Sequence, residues 1–219
     1  DTESWGGAYD PAGMMALATP GGRYVAFESR AVDLTGDPDE NGIRNDVFVR
    51  DRLAGTTERI TIGGTFGDNL LQGISDDGSK VLFSSYDSFG SADTNADFDL
   101  FVRDRAAGTT TRVNLDENGN EMPTRTCRTD WTAFCWELAG SLSGDGTTIA
   151  FVTDAAMIGS DTDGAPDVYA RDLATGLVER VSVATDGTAG PATVRLPSVM
   201  TTSLSIDGSV VGFGTATDG

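Results

Sequence analysis

Oxygen-bearing side chains gather three times along this chain, each time just ahead of the same short apolar run. The first gathering holds Asp37, Asp39, Asn41 and Asn45, the second Asp93, Asn95, Asp97 and Asp99, and the third Asp161, Asp163 and Asp167. Oxygens at alternate positions of a tight loop can point inward together, and Ca²⁺ takes about six to eight of them at roughly 2.3–2.6 Å. Asp37, Asp39 and Asn41, followed by Gly42, match the start of an Asp-x-Asp-x-Asn-Gly calcium loop, in which Ile43 offers its carbonyl and Asn45 a later ligand. The bidentate Glu of an EF-hand is missing and no flanking helices are evident. The predicted calcium ligands are therefore Asp37, Asp39, Asn41, Ile43, Asn45, Asp93, Asn95, Asp97, Asp99, Asp161, Asp163 and Asp167, with the third loop offering the fewest. A second reading stands beside this one. Asp, Asn and Gly are also the residues of plain surface turns, because their side chains cap backbone amides.

Other chemistries find little footing. The chain has no His, which removes the usual general base, the Ser-His-Asp arrangement and imidazole metal sites. No Gly-x-Ser-x-Gly elbow, phosphate loop or dinucleotide fingerprint occurs. The expectation is a protein that is not an enzyme. Its 34 acidic residues against 15 basic ones give a net charge of −19, which argues against nucleic acid and fits a protein that binds cations or lives at high salt. No apolar run approaches the roughly 20 residues of a membrane span. The two cysteines, Cys127 and Cys135, are expected to form a local disulfide, which places the chain in a secreted or periplasmic setting; two buried free thiols are the alternative.

The elements that must position the acidic loops are written repeatedly. Asp46-Val47-Phe48-Val49-Arg50-Asp51 returns as Asp99 to Asp104 and as Asp167 to Asp172. Apolar runs ending in Phe27, Phe83, Phe151 and Phe213 recur at spacings of 56, 68 and 62 residues. Each follows a turn, Gly21-Gly22 in the first copy and then Asp77-Gly78, Asp145-Gly146 and Asp207-Gly208; Asp-Gly is a strong hairpin signal, both residues tolerating positive φ. Four strands per repeat follow, which we label A to D in chain order. Strand A lies before the turn, B ends in Phe, C is the Asp-x-aromatic-x-Arg-Asp run and D follows a Gly-containing turn. No segment longer than about ten residues has helical periodicity, so the chain reads as all-β.

Apolar residues at adjacent positions of B and C call for sheets covered on both faces. Repeats of this length that cannot bury their faces alone must stack about an axis. The prediction is a β-propeller of four-stranded blades, with three complete units and a partial fourth: residues 14–69, 70–137, 138–200 and 201–219. Residues 1–13 are a possible closing strand. Arg50, Arg103 and Arg171 are expected to pair with nearby Asp residues and stitch blades together.

A Ser-x-x-Gly-like turn, a B strand ending in Phe, an Asp-Thr-Asn/Asp loop, Asp-Val-Phe-Val-Arg-Asp and Gly-Thr-Thr together resemble the TolB-like β-propeller repeats of secreted bacterial proteins. The resemblance covers residues 14–219. It implies the fold and little chemistry, because such repeats serve many functions. Its departure from pattern is the Cys-containing insertion between the second and third units, which also carries Trp131, Phe134 and Trp136.

In an antiparallel blade the B–C and D–A connections share one face of the disk, so the acidic loops and this insertion are expected side by side. The rings there would suit a protein or glycan partner, or would pack the insertion onto the disk. The leading functional expectation is a secreted, calcium-stabilised, non-catalytic binding or structural module. The alternatives are the propeller portion of an enzyme acting on polysaccharide or peptide, and a sugar-binding lectin. A partial fourth unit is read either as a segment of a longer propeller or as a blade completed by a neighbouring molecule in self-assembly.

Overall fold

The computed structural model describes residues 14–65, 67–95, 97–122, 139–185, 187 and 202–213. Cys127, Cys135, Trp131, Phe134, Trp136 and residues 1–13 lie outside them, so the expected disulfide, aromatic insertion and closing strand fall there too.

The chain is all-β. The first sheet orders β1 (Ala16–Ala18), β2 (Tyr24–Ser29), β3 (Asp46–Asp51) and β4 (Thr56–Arg59) sequentially, each strand antiparallel to the next. The second repeats this with β5 (Asn69–Ile74), β6 (Lys80–Ser85), β7 (Asp99–Asp104) and β8 (Thr109–Arg112). The third does so with β9 (Gly140–Leu142), β10 (Thr148–Thr153), β11 (Asp167–Asp172) and β12 (Val178–Arg180). A two-stranded sheet, β13 (Ser203–Leu204) and β14 (Val211–Gly212), begins a fourth unit. The innermost strands β1, β5, β9 and β13 together line a central groove of about 260 Å³.

Two apolar layers join the units. Between the first and second lie Ala26, Val47, Val49 and Ile60 against Leu71, Val81, Phe83 and Phe101. Between the second and third lie Leu82, Leu100, Val102 and Val113 against Ile149, Phe151 and Tyr169. Adjacent apolar positions on one strand thus feed two different layers, as sheets covered on both faces require. Phe83, Phe101, Phe151 and Tyr169 are fully buried, each stabilising the fold by about 1.5–3 kcal/mol.

The A–B turn is built differently from the hairpin expected of Asp-Gly. Only the glycine takes positive φ, at +72° in Gly78, +70° in Gly146 and +68° in Gly208. The aspartate uses its side chain instead: Asp77 Oδ1 accepts from Ser75 Oγ at 2.7 Å and from Ser79 N at 2.8 Å, and Asp145 and Asp207 do the same with Ser143 and Thr147 and with Ser205 and Ser209. Successive turns are then linked by main-chain bonds, Asp76 N to Gly144 O and Asp145 N to Ile206 O, both 2.7 Å.

Among the described residues, the arginines of the strand C motif form none of the expected ion pairs with Asp. Among the described residues Arg50 donates to Thr57 Oγ1, Arg103 to Gly108 O and Thr110 Oγ1, and Arg171 to the carbonyls of Leu115 and Asp116. Of the three, Arg171 alone reaches a neighbouring unit through these bonds. The closing Asp of the motif shapes the C–D turn that follows it. Asp51 Oδ1 accepts the amides of Leu53 and Ala54, and Asp172 Oδ1 those of Ala174 and Thr175.

Candidate functional site

Each acidic loop closes around a guanidinium of its own unit. Antiparallel pairing of strands C and D sets Arg59 beside Asp46, Arg112 beside Asp99 and Arg180 beside Asp167, the Arg always 13 residues after the Asp. All three arginines are buried or nearly so, with side chains 4%, 4% and 9% exposed. A second polar residue stands 15 positions after the same Asp: Thr61, Asn114 or Ser182. Its side chain donates to that Asp and accepts the next main-chain N–H, that of Val47, Leu100 or Val168. The opening Asp of strand C is therefore held from two sides by strand D.

In the first loop, Asp39 Oδ1 accepts the amides of Asn41 and Gly42, an Asx turn whose glycine takes φ +71°. Asn41 Nδ2 and Asn69 Nδ2 donate to Asp46 Oδ1 at 3.1 and 3.2 Å. Arg59 Nη1 lies 3.7 Å from Asp39, 3.5 Å from Asp46 and 3.0 Å from the carbonyl of Pro38. Burial raises the pKa of Asp46, opposed by Thr61 and Arg59. Of the predicted ligands, Asp39 and Asn41 approach this centre. Asp37 is exposed, Ile43 is 84% exposed, and Asn45 is turned to Arg30, whose Nε it accepts at 2.8 Å. Asp39 Oδ1 serves the loop amides, whereas the buried Asn41 Oδ1 has no hydrogen-bond partner among the described residues.

The second loop brings Asp93 and Asp99 together with Glu121, a residue of the D–A connection that spacing within the loop does not reveal. Arg112 lies 4.0 Å from Asp93 and 3.0 Å from Asp99, and is ion-paired with Glu121. Asn95 and Asp97 are placed otherwise: Asn95 Nδ2 donates to Met122 O, and its Oδ1 accepts the amide of Asp97. Burial is the largest influence on Asp99, and Asp93 and Glu121 add to it, so that its pKa is pushed up to about 6 against the pull of Asn114 and Arg112.

The third loop assembles all three of its predicted residues. Arg180 Nη1 lies 3.3 Å from Asp161, 3.6 Å from Asp163 and 2.9 Å from Asp167. The buried hydroxyl of Tyr169 donates to Asp161, and burial with that bond holds the phenol well above its usual pKa. Burial works against the charge of Arg180, but the three aspartates outweigh it and raise its pKa.

The carboxylate oxygens of Asp93, Asp99 and Glu121 lie within 4.8 Å of one another, as do those of Asp161, Asp163 and Asp167, so both groups could hold a metal ion. The acidic loops sit beside the D–A connections: Asn45 N bonds Asp68 Oδ1, and Thr94 N bonds Glu121. The signal that would have found the arginines is a second repeat, Arg59-Ile60-Thr61, Arg112-Val113-Asn114 and Arg180-Val181-Ser182, at constant distance from the strand C Asp while the loops themselves vary in length.

No family model and no curated protein matches the chain. Among solved structures it is similar to TolB from Acinetobacter baumannii, at 18% identity and a TM-score of 0.50 over 92% of this chain and 37% of that one. It is also similar to a putative TolB from Agrobacterium tumefaciens (14%, 0.48, 90% and 62%) and to the tricorn protease (12%, 0.48, 93% and 15%). The chain thus spans little more than a third of the first of these. With sheets of sequential antiparallel strands stacked face to face, the fold is a TolB-like β-propeller. Among the described residues, no helix is long and apolar enough to cross a membrane.

Proposed function

We propose that this chain is a non-catalytic propeller module that binds or scaffolds outside the cytoplasm, and that its acidic loops are latches fastening strands C and D. The recurrence of a guanidinium inside every acidic loop carries this reading. Arg59, Arg112 and Arg180 each face carboxylates of the loop and of strand C. A permanent cation with several donors holds such a loop closed without protons or a nucleophile, which is scaffold chemistry. Arg180→Met tests it: the latch reading expects a loss of folding stability from the uncompensated aspartates, and an unchanged urea midpoint would sink it.

Calcium is a second reading, favoured at two loops by the convergence of Asp93, Asp99 and Glu121 and of Asp161, Asp163 and Asp167. An ion there would be held by those carboxylates beside the guanidinium and would supply a further structural crosslink. In the first loop Asp37 is exposed, and the support for an ion is the buried, unpartnered Asn41 Oδ1 beside Asp39 and Asp46. Calorimetric titration with Ca²⁺ should give binding that Asp163→Asn and Glu121→Gln weaken and Asp37→Asn leaves unchanged. No heat of binding, or equal loss with Asp37→Asn, would remove calcium from the account.

A further inference from the structure

Among the described residues, the buried side-chain oxygens that find no hydrogen-bond partner gather at one place. They are Thr35 Oγ1 and Asn41 Oδ1 of the first acidic loop, and Asn69 Oδ1 at the start of β5 in the second unit. Asn69 is 0% exposed. Both carboxamides are turned to the same carboxylate: Asn41 Nδ2 donates to Asp46 Oδ1 at 3.1 Å and Asn69 Nδ2 does so at 3.2 Å. Each amide therefore lies against Asp46 with its own oxygen unspent. Leaving a buried acceptor unsatisfied is costly, and two of them at one carboxylate call for a ligand.

The arginine of this loop does not fill the place. Arg59 Nη1 stands 3.7 Å from Asp39 and 3.5 Å from Asp46, and donates to the carbonyl of Pro38. Arg180, by contrast, is drawn to 2.9 Å from Asp167. The side chains of Asp39, Asp46 and Arg59 are 9%, 4% and 4% exposed, so the group buries two negative charges against one positive. The other loops set three carboxylates against their guanidinium; here the neutral Asn41 takes the third place. Neighbouring Arg44 is already paired with Asp68. Arg59 Nε and Nη2 lack partners as well. Water serves donors and acceptors alike but brings no charge, and a buried charge without a partner is the larger cost. A monovalent cation balances the group, whereas a divalent one reverses its sign.

We propose that the first loop and the second unit together bind an alkali cation, sodium or potassium, through Asp39, Asp46 and the amide oxygens of Asn41 and Asn69. Carboxylate and amide oxygens are the ligands that hard cations take. Thr35 Oγ1 is a further neutral oxygen of the same loop. Asn69 belongs to the second unit, so the ion ties that unit to the first. The inference rests on the reading of an ion at the first loop and changes its class from divalent to monovalent.

Urea unfolding in NaCl, KCl and choline chloride at one ionic strength tests this, with calcium removed by a chelator. Equal ionic strength holds screening constant, so a difference between the salts reads a bound ion. NaCl or KCl is expected to raise the urea midpoint above that in choline chloride. The unfolding constant should fall about tenfold once the ion is present at about ten times its Kd, and the more effective salt names the ion. Asn41→Ala should lose most of this increment, and Asp37→Asn, at an exposed carboxylate of the same loop, should keep it. Asn69→Asp carries the test if Asn41→Ala does not fold. Its second carboxylate against Asp46 should weaken the protein in choline chloride and gain more from the alkali salt than the parent does. Equal midpoints in the three salts would overturn the proposal and leave buried water as the occupant. So would an increment that Asn41→Ala leaves whole, or an Asn69→Asp variant that gains no more than the parent. Calcium binding by calorimetry with no alkali increment would overturn this inference alone and leave the divalent reading standing.

Discussion

A buried arginine among carboxylates is held in place by what its loss would leave behind. Arg112 faces Asp93, Asp99 and Glu121, and removing it strands buried charge rather than merely deleting contacts. Arg112→Met should therefore cost about 3–5 kcal/mol in urea unfolding. Arg112→Lys should recover little of it, because an ammonium cannot reach two carboxylates as a planar fork does. A loss below about 1 kcal/mol, the range of an exposed ion pair, would show that the cluster is solvated and weak. Asp99 adds a pH dependence of definite sign. Its folded pKa of about 6 lies above the ordinary aspartate value near 3.9, so the native state binds this proton more tightly than the unfolded chain. Its contribution is fully present below about pH 4 and is lost as the pH rises through 6, about 3 kcal/mol in all. Asp51 has the opposite sense: its hydrogen bond from Arg23 and the amide of Ala54 hold its pKa down to about 2, so its contribution is present above about pH 4 and is lost as the pH falls toward 2. Asp99→Asn should flatten the stability profile between about pH 4 and 6 and leave the acid limb in place. An unchanged slope in that window would assign the proton elsewhere.

At the scale of the element, the A–B turn shows how a four-residue device serves two units. Its glycine must have positive φ for the turn and must lack a Cβ for the neighbouring unit. These demands separate at different copies. Gly22 has φ +68° and, among the described residues, the end of the flexible Arg52 side chain 3.1 Å from where a Cβ would stand, whereas Gly78 has φ +72° and the Tyr24 ring at 2.2 Å. Gly22→Ala should cost about 1–2 kcal/mol, chiefly the left-handed backbone penalty, and Gly78→Ala distinctly more. Adding Tyr24→Ala to Gly78→Ala should return part of the difference, as a double-mutant cycle in chemical denaturation would read. Equal costs at the two glycines would mean that the units can slide apart without penalty. The strands, their order and their two-sided burial were legible in the sequence because period, turn residues and adjacent apolar positions are local signals. The acidic loops were legible as clusters, but their cation was not. Arg59, Arg112 and Arg180 reach the loops through the C–D pairing, a contact over 13 residues that spacing within the loop cannot reveal. Glu121 was missed for the same reason, arriving at Arg112 from the connection to the next unit.

For the whole molecule, the balance of charge sets a demand that no single latch meets. The chain carries −19, and the Arg–Asp contacts neutralise only part of the acid that the loops carry. Self-repulsion of this size opposes the compact state, and it acts between exposed groups, where salt screens it over a Debye length of about 10 Å at 0.1 M. The buried Arg–carboxylate contacts lie where screening is weak. Raising NaCl from about 0.02 to 0.5 M should therefore raise the Tm steadily, because added salt weakens the repulsion and spares the latches. The increment should persist in Arg50→Ala, whose side chain is exposed and, among the described residues, bonds Thr57, and which therefore tests a charge outside the latches. A Tm that falls with NaCl would mean that exposed ion pairs such as Arg44–Asp68 outweigh the net repulsion, and that stability is held at the surface rather than in the loops.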